Sequence, residues 1–361
     1  MPEPARAVGG TDRALFAASS PAETYYAQVS ALFERAVAAT SDIRRYYKLG
    51  PEILCIRFAG EGLMTMLTPA LAHVEVGPAA PSLTVHCWDS ATTGVTMGAP
   101  PWPGSAFGPK GHIEGYNNDA VRTVYQPGAD VLNMMHVPSR TGIYWIRDPD
   151  ILPYWECSFP MRALLHWWSR ERPFQLVHAG AVGNEKGGVL LTGKSGSGKS
   201  TTAMSCLNSP LGYAGDDYVM IANEPQPYVY SLYNTAKLVP EGVGLLPGMT
   251  HKISNPQNMQ DEKAMFFLQE YYPEKLSPGF PVKAIFLPRV THQRDTRLLP
   301  ATQGEALFAL APTTVLHLEG DSKLAFEKMS RFVQSVSSYW LEVGTDMAQI
   351  PETIRMFLEQ A

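Results

Sequence analysis

Eight residues constrain this chain more than any others: Gly193-Lys194-Ser195-Gly196-Ser197-Gly198-Lys199-Ser200. They fit G-x-x-x-x-G-K-[ST], a loop that wraps backbone N–H groups around phosphate oxygens. Gly193, Gly196 and Gly198 let the backbone turn where a side chain would block the approach of a phosphate. The apolar run Gly188-Val189-Leu190-Leu191 before the loop, ending at Thr192, predicts a buried strand. Thr201 to Leu207 after it predicts a helix, whose start adds the positive end of its dipole. In this context the backbone amides of Ser195 to Ser200 face phosphate, with Gly193 and Thr201 completing the nucleotide-binding set, Lys199 meets the β- and γ-phosphates and the Ser200 hydroxyl reaches Mg²⁺. A Gly/Ser-rich turn without a ligand is the alternative, and the Lys-Ser pair between a strand and a helix argues against it.

The rest of the composition narrows the classes. With 361 residues, 45% of them hydrophobic and 17% charged, the chain can bury the cores of about two domains. A net charge of -5 gives no reason to expect nucleic acid as a partner. Cys55, Cys87, Cys157 and Cys206 lack C-x-x-C spacing and read as reduced structural thiols. The start Met1-Pro2-Glu3-Pro4-Ala5-Arg6 lacks the order of a signal peptide, and no run reaches membrane-spanning length. The expectation is a cytoplasmic protein that engages neither membrane nor nucleic acid.

Residues 1–20 are small and polar and read as a frayed start. Tyr25, Val29, Leu32, Phe33, Ala36 and Val37 have helical spacing, which predicts a helix from Pro21 to Lys48, stopped by Gly50-Pro51. The period then changes to that of strands, at 53–59, 71–76, 83–88, 121–125 and 142–146, with a Pro/Gly-rich loop over 98–111. Met161–Trp168 reads as a helix. Tyr144, Trp145, Tyr154, Trp155, Trp167 and Trp168 are read as packing residues, with an aromatic ligand platform as the alternative. His73, His86, His112, His136 and His166 have no metal-site spacing. A mostly β, α+β domain over 1–170 therefore precedes a phosphate-loop domain over 171–361.

Phosphate loops serve many chemistries, and the acids that follow discriminate among them. Asp216 and Asp217 come one short helix after Lys199, immediately before the apolar run Tyr218–Ala222. Two adjacent carboxylates allow one to hold Mg²⁺ and the other to take a proton from an attacking hydroxyl; an Asp-Asp turn that caps the next element is the bland alternative. Neither the Leu-Ser-Gly-Gly-Gln motif nor the Asp-Glu strand end of transporter ATPases follows residue 200. Residues 242–280 read as a long surface loop of the kind that forms lids.

The wider pattern, Val177-His178-Ala179-Gly180-Ala181-Val182, the strand before the loop, the loop itself and Gly215-Asp216-Asp217, resembles the HPr kinase/phosphorylase superfamily, whose core is related to phosphoenolpyruvate carboxykinase. The similarity is strong over 174–222 and continues weakly through Lys237, Glu262-Lys263-Ala264, Ala284–Val290 and Glu305-Ala306-Leu307. Tyr339-Trp340-Leu341-Glu342-Val343-Gly344-Thr345-Asp346 looks like the closing segment of stand-alone relatives of this kinase, which occur in gene clusters for peptide natural products, including lasso peptides. The Gly-rich segment that serves protein-substrate binding and phosphorolysis in the bifunctional enzymes does not follow the acid pair; Ser231–Leu238 stands there instead, which argues against HPr as substrate and against phosphorylase activity.

The resemblance implies an α/β fold with an HPr-kinase-like phosphate-loop core, ATP and Mg²⁺ as cofactors, and transfer to a serine hydroxyl of a peptide or small protein, including a lasso precursor peptide. It implies Asp216 as general base, Asp217 with Ser200 on Mg²⁺, and a homo-oligomer. His178 either orients Asp216, touches the substrate or is a buried structural histidine. Lys237, Lys263 and Arg289 are candidate phosphate or substrate contacts, with solvated surface positions as the alternative for the lysines. A small-molecule alcohol kinase of the same architecture and a nucleotide-binding regulatory protein remain as competing readings.

Overall fold

The computed structural model describes residues 19–246, 248–260, 262–317 and 322–361. Most of the expected frayed start, residues 1–18, lies outside them, as does Pro247 of the expected long loop. The described chain is a mixed α/β protein built on two large sheets.

The first sheet has seven strands in the spatial order Glu75–Val76, Asp42–Leu49, Glu52–Ala59, Leu83–Asp89, Thr141–Ile146, Val131–His136, Val121–Gln126. Its three central strands run parallel and the outer ones antiparallel. Helix Pro21–Ala39 starts on a reciprocal Ser20–Glu23 capping box and lays Tyr25, Val29 and Phe33 against Trp88 and Trp145 of one face. The expected helix to Lys48 ends early: Asp42–Leu49 is a strand, in which Tyr47 and Leu49 point inward at period two while Arg44 and Arg45 pair outward with Asp42 and Glu75. The expected strand at 71–76 is a 3₁₀ turn over Thr68–Val74, entered through Pro69, and only Glu75–Val76 pairs. Strand Val131–His136, which lacks polar alternation, was hidden because five of its six residues are buried. Of the aromatic group, Tyr144, Trp145, Trp167 and Trp168 are core residues while Trp155 is 41% exposed.

The second sheet carries the phosphate loop. Its path is Gly212–Gly215, Gly180–Asn184, Gly187–Leu191, Gly279–Val290, Tyr228–Tyr230, Val219–Ala222, Phe174–Val177, with Ser337–Val343 paired to the far half of Gly279–Val290 and Arg297–Ala301 paired to it in turn. Gly187–Leu191, Gly279–Val290 and Ser337–Val343 are parallel, so their carboxyl ends open on one side. Helices Lys199–Ser205 and Gln349–Gln360 lie on one face and Gln303–His317 and Ser322–Gln334 on the other, each over its own apolar core. Residues 242–280 are not one structureless loop: Ala264–Phe267 pairs antiparallel with Thr235–Leu238. The buried Asn255 side chain fastens the preceding turns by bonding Met265 N and Lys263 O.

A third core joins the two sheets. Tyr47, Leu54, Phe58, Leu71 and Val85 pack in one continuous cluster with Leu164, Trp168, Phe174, Met220, Leu232 and Tyr233. Hydrogen bonds cross there too: the Asn234 side chain donates to Pro69 O and Ala70 O, and its N–H donates to Ala70 O.

Candidate functional site

The loop rises from the carboxyl end of Gly187–Leu191, in the crevice where open parallel sheets hold ligands. Thr192 N still bonds Phe286 O at 3.0 Å, so the loop departs from a strand pinned on its neighbour. Gly193 has φ 154° and a Cβ there would stand 2.8 Å from Ser197 Oγ; Gly198 has φ 105° and packs toward Val290 and Val343 at the neighbouring strand ends. Both conformations favour glycine. Lys194, Ser195 and Gly196 form the exposed crest. Lys199, by contrast, is folded under the loop: its ammonium donates to Gly193 O at 2.8 Å and Lys194 O at 3.2 Å. Burial draws its pKa down, and the charges of Asp216 and Asp217 draw it back up. The charges of the acid pair thus act on the loop lysine.

The two acids occupy different environments. Asp216 is 1% exposed. Its Oδ2 accepts from Lys237 N at 3.3 Å, and its Oδ1 is buried without a hydrogen-bond partner. Burial, with the neighbouring Asp217 charge second, pushes its pKa up to about 7, against smaller opposing pulls from the Ser200 side chain, Lys237 N and Lys199. Asp217 is also desolvated, but Lys237, a hydrogen bond from His178 and the charge of Lys263 outweigh that and hold its carboxyl well below the usual range. Its contacts are Lys237 Nζ at 3.3 Å and His178 Nε2 at 3.4 Å. His178 therefore meets Asp217, whereas orienting Asp216 was one of the roles expected of it. The residue is held in turn by its backbone N–H, which donates to the buried Thr314 hydroxyl at 3.0 Å.

Lys237 is no solvated surface residue. Its ammonium sits 4.0 Å above the Phe159 ring and 5.6 Å from the Tyr154 ring centroid, where an aromatic face offsets part of the desolvation. Burial lowers its pKa and Asp217 raises it. Lys263 is half-buried and close enough for its charge to act on Lys199, Asp217 and Lys237. Arg289 is not part of this group. It stands on the other flank of the loop, bonded to Glu342 at 2.5 Å and stacked 5.0 Å from the Trp340 ring. Phe159 and Thr314 escaped the sequence reading because they lie far from the loop in sequence and belong to no motif, and Tyr154 was read only as one of a group of packing aromatics.

A buried carboxylate oxygen with no partner, next to a loop hydroxyl, fits a hard divalent cation, which prefers oxygen ligands and shares them with phosphates. Among the described residues no group of three or more His, Cys, Asp or Glu could hold a metal ion. Among the described residues, too, no helix is long and apolar enough to cross a membrane, and all four cysteines are free and buried.

No family model matches the chain, and no curated protein matches it. Among solved structures it is similar to the Hpr(Ser) kinase/phosphatase from Coxiella burnetii, at 12% identity and a TM-score of 0.29, over 52% of this chain and 95% of that one. At that score the likeness adds nothing to the geometry, and the site stands on its own residues.

Proposed function

We propose that this protein is an ATP-dependent phosphotransferase of the HPr-kinase type that phosphorylates a serine hydroxyl of a peptide or small protein, with a lasso precursor peptide as the acceptor class the sequence resemblance names. One observation carries the reading: two acids with opposed proton affinities sit together within electrostatic reach of the lysine of a phosphate loop. A structural Asp-Asp turn has no reason to leave a carboxylate oxygen buried and unbonded.

In this reading the loop amides and Lys199 hold and neutralise the phosphates. Lys199 would leave its Gly193 and Lys194 carbonyls for the nucleotide. Asp216 and Ser200 are the pair best disposed toward Mg²⁺, because Asp216 has the open oxygen and Ser200 is its neighbour; this exchanges the two acids relative to the roles the resemblance implies. Mg²⁺, when bound, supplies charge neutralisation on the transferred group. Asp217, kept ionised and aimed by Lys237 and His178, orients the acceptor hydroxyl and takes its proton. In a loose phosphoryl-transfer transition state that hydroxyl loses its proton late, so position matters as much as basicity.

The test is transfer of label from γ-labelled ATP to serine-containing peptides, with free alcohols in parallel. We expect labelled phosphoserine, lost in Asp217→Asn. Label in alcohols only would overturn the peptide acceptor, and tight ATP binding without any transfer would overturn the enzyme.

A further inference from the structure

Opposite the acid pair, the loop borders a cleft of about 550 Å³ that the phosphate chemistry leaves unused. Gly193, Lys194, Gly196 and Ser197 form one wall. The other walls are Leu287 and Val290 at a strand end, Trp340 on the neighbouring strand, and Phe308 and Pro312 on helix Gln303–His317. The volume suits a drug-sized ligand, and the lining is mostly apolar, as in small-molecule sites. Phe308 is 81% exposed at its mouth.

The polar groups of the cleft divide in two. Arg289 is tied to Glu342 and stacked on Trp340; Glu305 accepts from Thr302 and from Trp340 Nε1. Both are engaged with side chains on the rim of the cleft itself. Thr192 and Ser197 do the reverse: both hydroxyls are buried without hydrogen-bond partners, and both residues line the cleft. A ligand that enters here thus meets flat apolar surfaces, an aromatic ring and two unsatisfied hydroxyls near the loop.

We infer that this cleft receives the base and ribose of the nucleotide whose phosphates lie on the loop. The base stacks against Phe308 and the Trp340–Arg289 pair, and the Thr192 and Ser197 hydroxyls serve the sugar. The inference rests on the phosphotransferase reading for the phosphates and adds the nucleoside site. The occupant follows from continuity, since the same loop residues wall the cleft and carry the phosphate motif. Because the ring faces of Phe308 and Trp340 stack on any base, adenine and guanine are held about equally. Stacking of a base on an aromatic side chain is worth about 1–3 kcal/mol, which is roughly a 5- to 150-fold change in Kd.

Titration calorimetry of the full chain with Mg·ATP, Mg·GTP and Mg·tripolyphosphate tests this. The variants are Phe308→Ser, whose ring is exposed and outside the core, and Trp340→Phe. We expect wild type to bind ATP and GTP within about tenfold of each other and both more tightly than tripolyphosphate. Phe308→Ser should weaken both nucleotides about fivefold or more and leave tripolyphosphate unchanged. Equal affinity of wild type for ATP and tripolyphosphate, or nucleotide affinity unmoved in both variants, would overturn the nucleoside site while leaving the phosphate loop intact. Failure of all three ligands to bind would remove the phosphotransferase reading and this inference with it.

Discussion

Replacing Asp216 by Asn should make the unliganded protein harder to unfold while it abolishes transfer. Burial and Asp217 lift the Asp216 pKa from 3.8 to about 7. A raised carboxyl pKa means that the folded state pays for ionisation, so the cost is absent below the unfolded pKa near 3.8, grows between there and about 7, and is complete above. At about 1.4 kcal/mol per pH unit, the rise corresponds to about 4 kcal/mol at pH 8. Asn keeps the shape and can still accept from Lys237 N, but its amide must also be desolvated, so a net gain of about 2 kcal/mol is expected. Urea denaturation of both proteins at pH 8, 6 and 4.5 is the assay. The variant should lead at pH 8, and its lead should shrink steadily on acidification. A variant less stable than wild type at pH 8, or a lead that does not depend on pH, would refute the account of Asp216 as a destabilising, functional acid.

Asp217→Asn should do the opposite: its carboxyl is held below the usual range, so it stabilises above pH 4 and that contribution fades as the pH falls through the folded value; urea midpoints at pH 7 should drop for the variant. Lys237→Met removes one partner of a buried ion pair and should cost about 3 kcal/mol, measured by the same denaturation; a change within experimental scatter would argue that the pair is not formed. Lys199→Ala should lower transfer at least ~100-fold with far-UV circular dichroism unchanged, because the lysine bonds only loop carbonyls. Lys328 donates to the carbonyls of Ser169, Arg170, Arg172 and Phe174 at 2.8–3.0 Å, so Lys328→Met should lower stability by about 2–4 kcal/mol, again by denaturation.

What the sequence disclosed was local. The strand, loop and helix around Lys199 follow from an apolar run, three glycines and a Lys-Ser pair, and one short helix is too little chain to carry Asp216 and Asp217 far away. The difference between the acids was not legible, because it comes from Lys237, twenty residues downstream, and from the Phe159 ring beneath it. His178 was found through its neighbours in the motif, yet the hydrogen bond from its backbone N–H to Thr314, in a helix more than a hundred residues later, was not legible. Strands such as Val131–His136 and Ala264–Phe267 were missed for a related reason: a buried strand loses its alternation, and a ribbon inside a turn-rich stretch is stabilised by its distant partner. Arg289 looked like a contact for phosphate because it ends a strand beside the loop, and only the Glu342 and Trp340 side chains reveal that it is already engaged.

The core shared by the two sheets limits how the molecule can be dissected. A cut near residue 170 would leave Phe174, Met220, Leu232 and Tyr233 facing solvent on one fragment and Tyr47, Leu54 and Phe58 on the other. Neither piece would keep a dry interior, so the half that carries the Gly193–Ser200 loop cannot be borrowed as a free-standing module. Grafting experiments must carry the amino-terminal sheet along, because Asn234, three residues from Lys237, is bonded to Pro69 and Ala70.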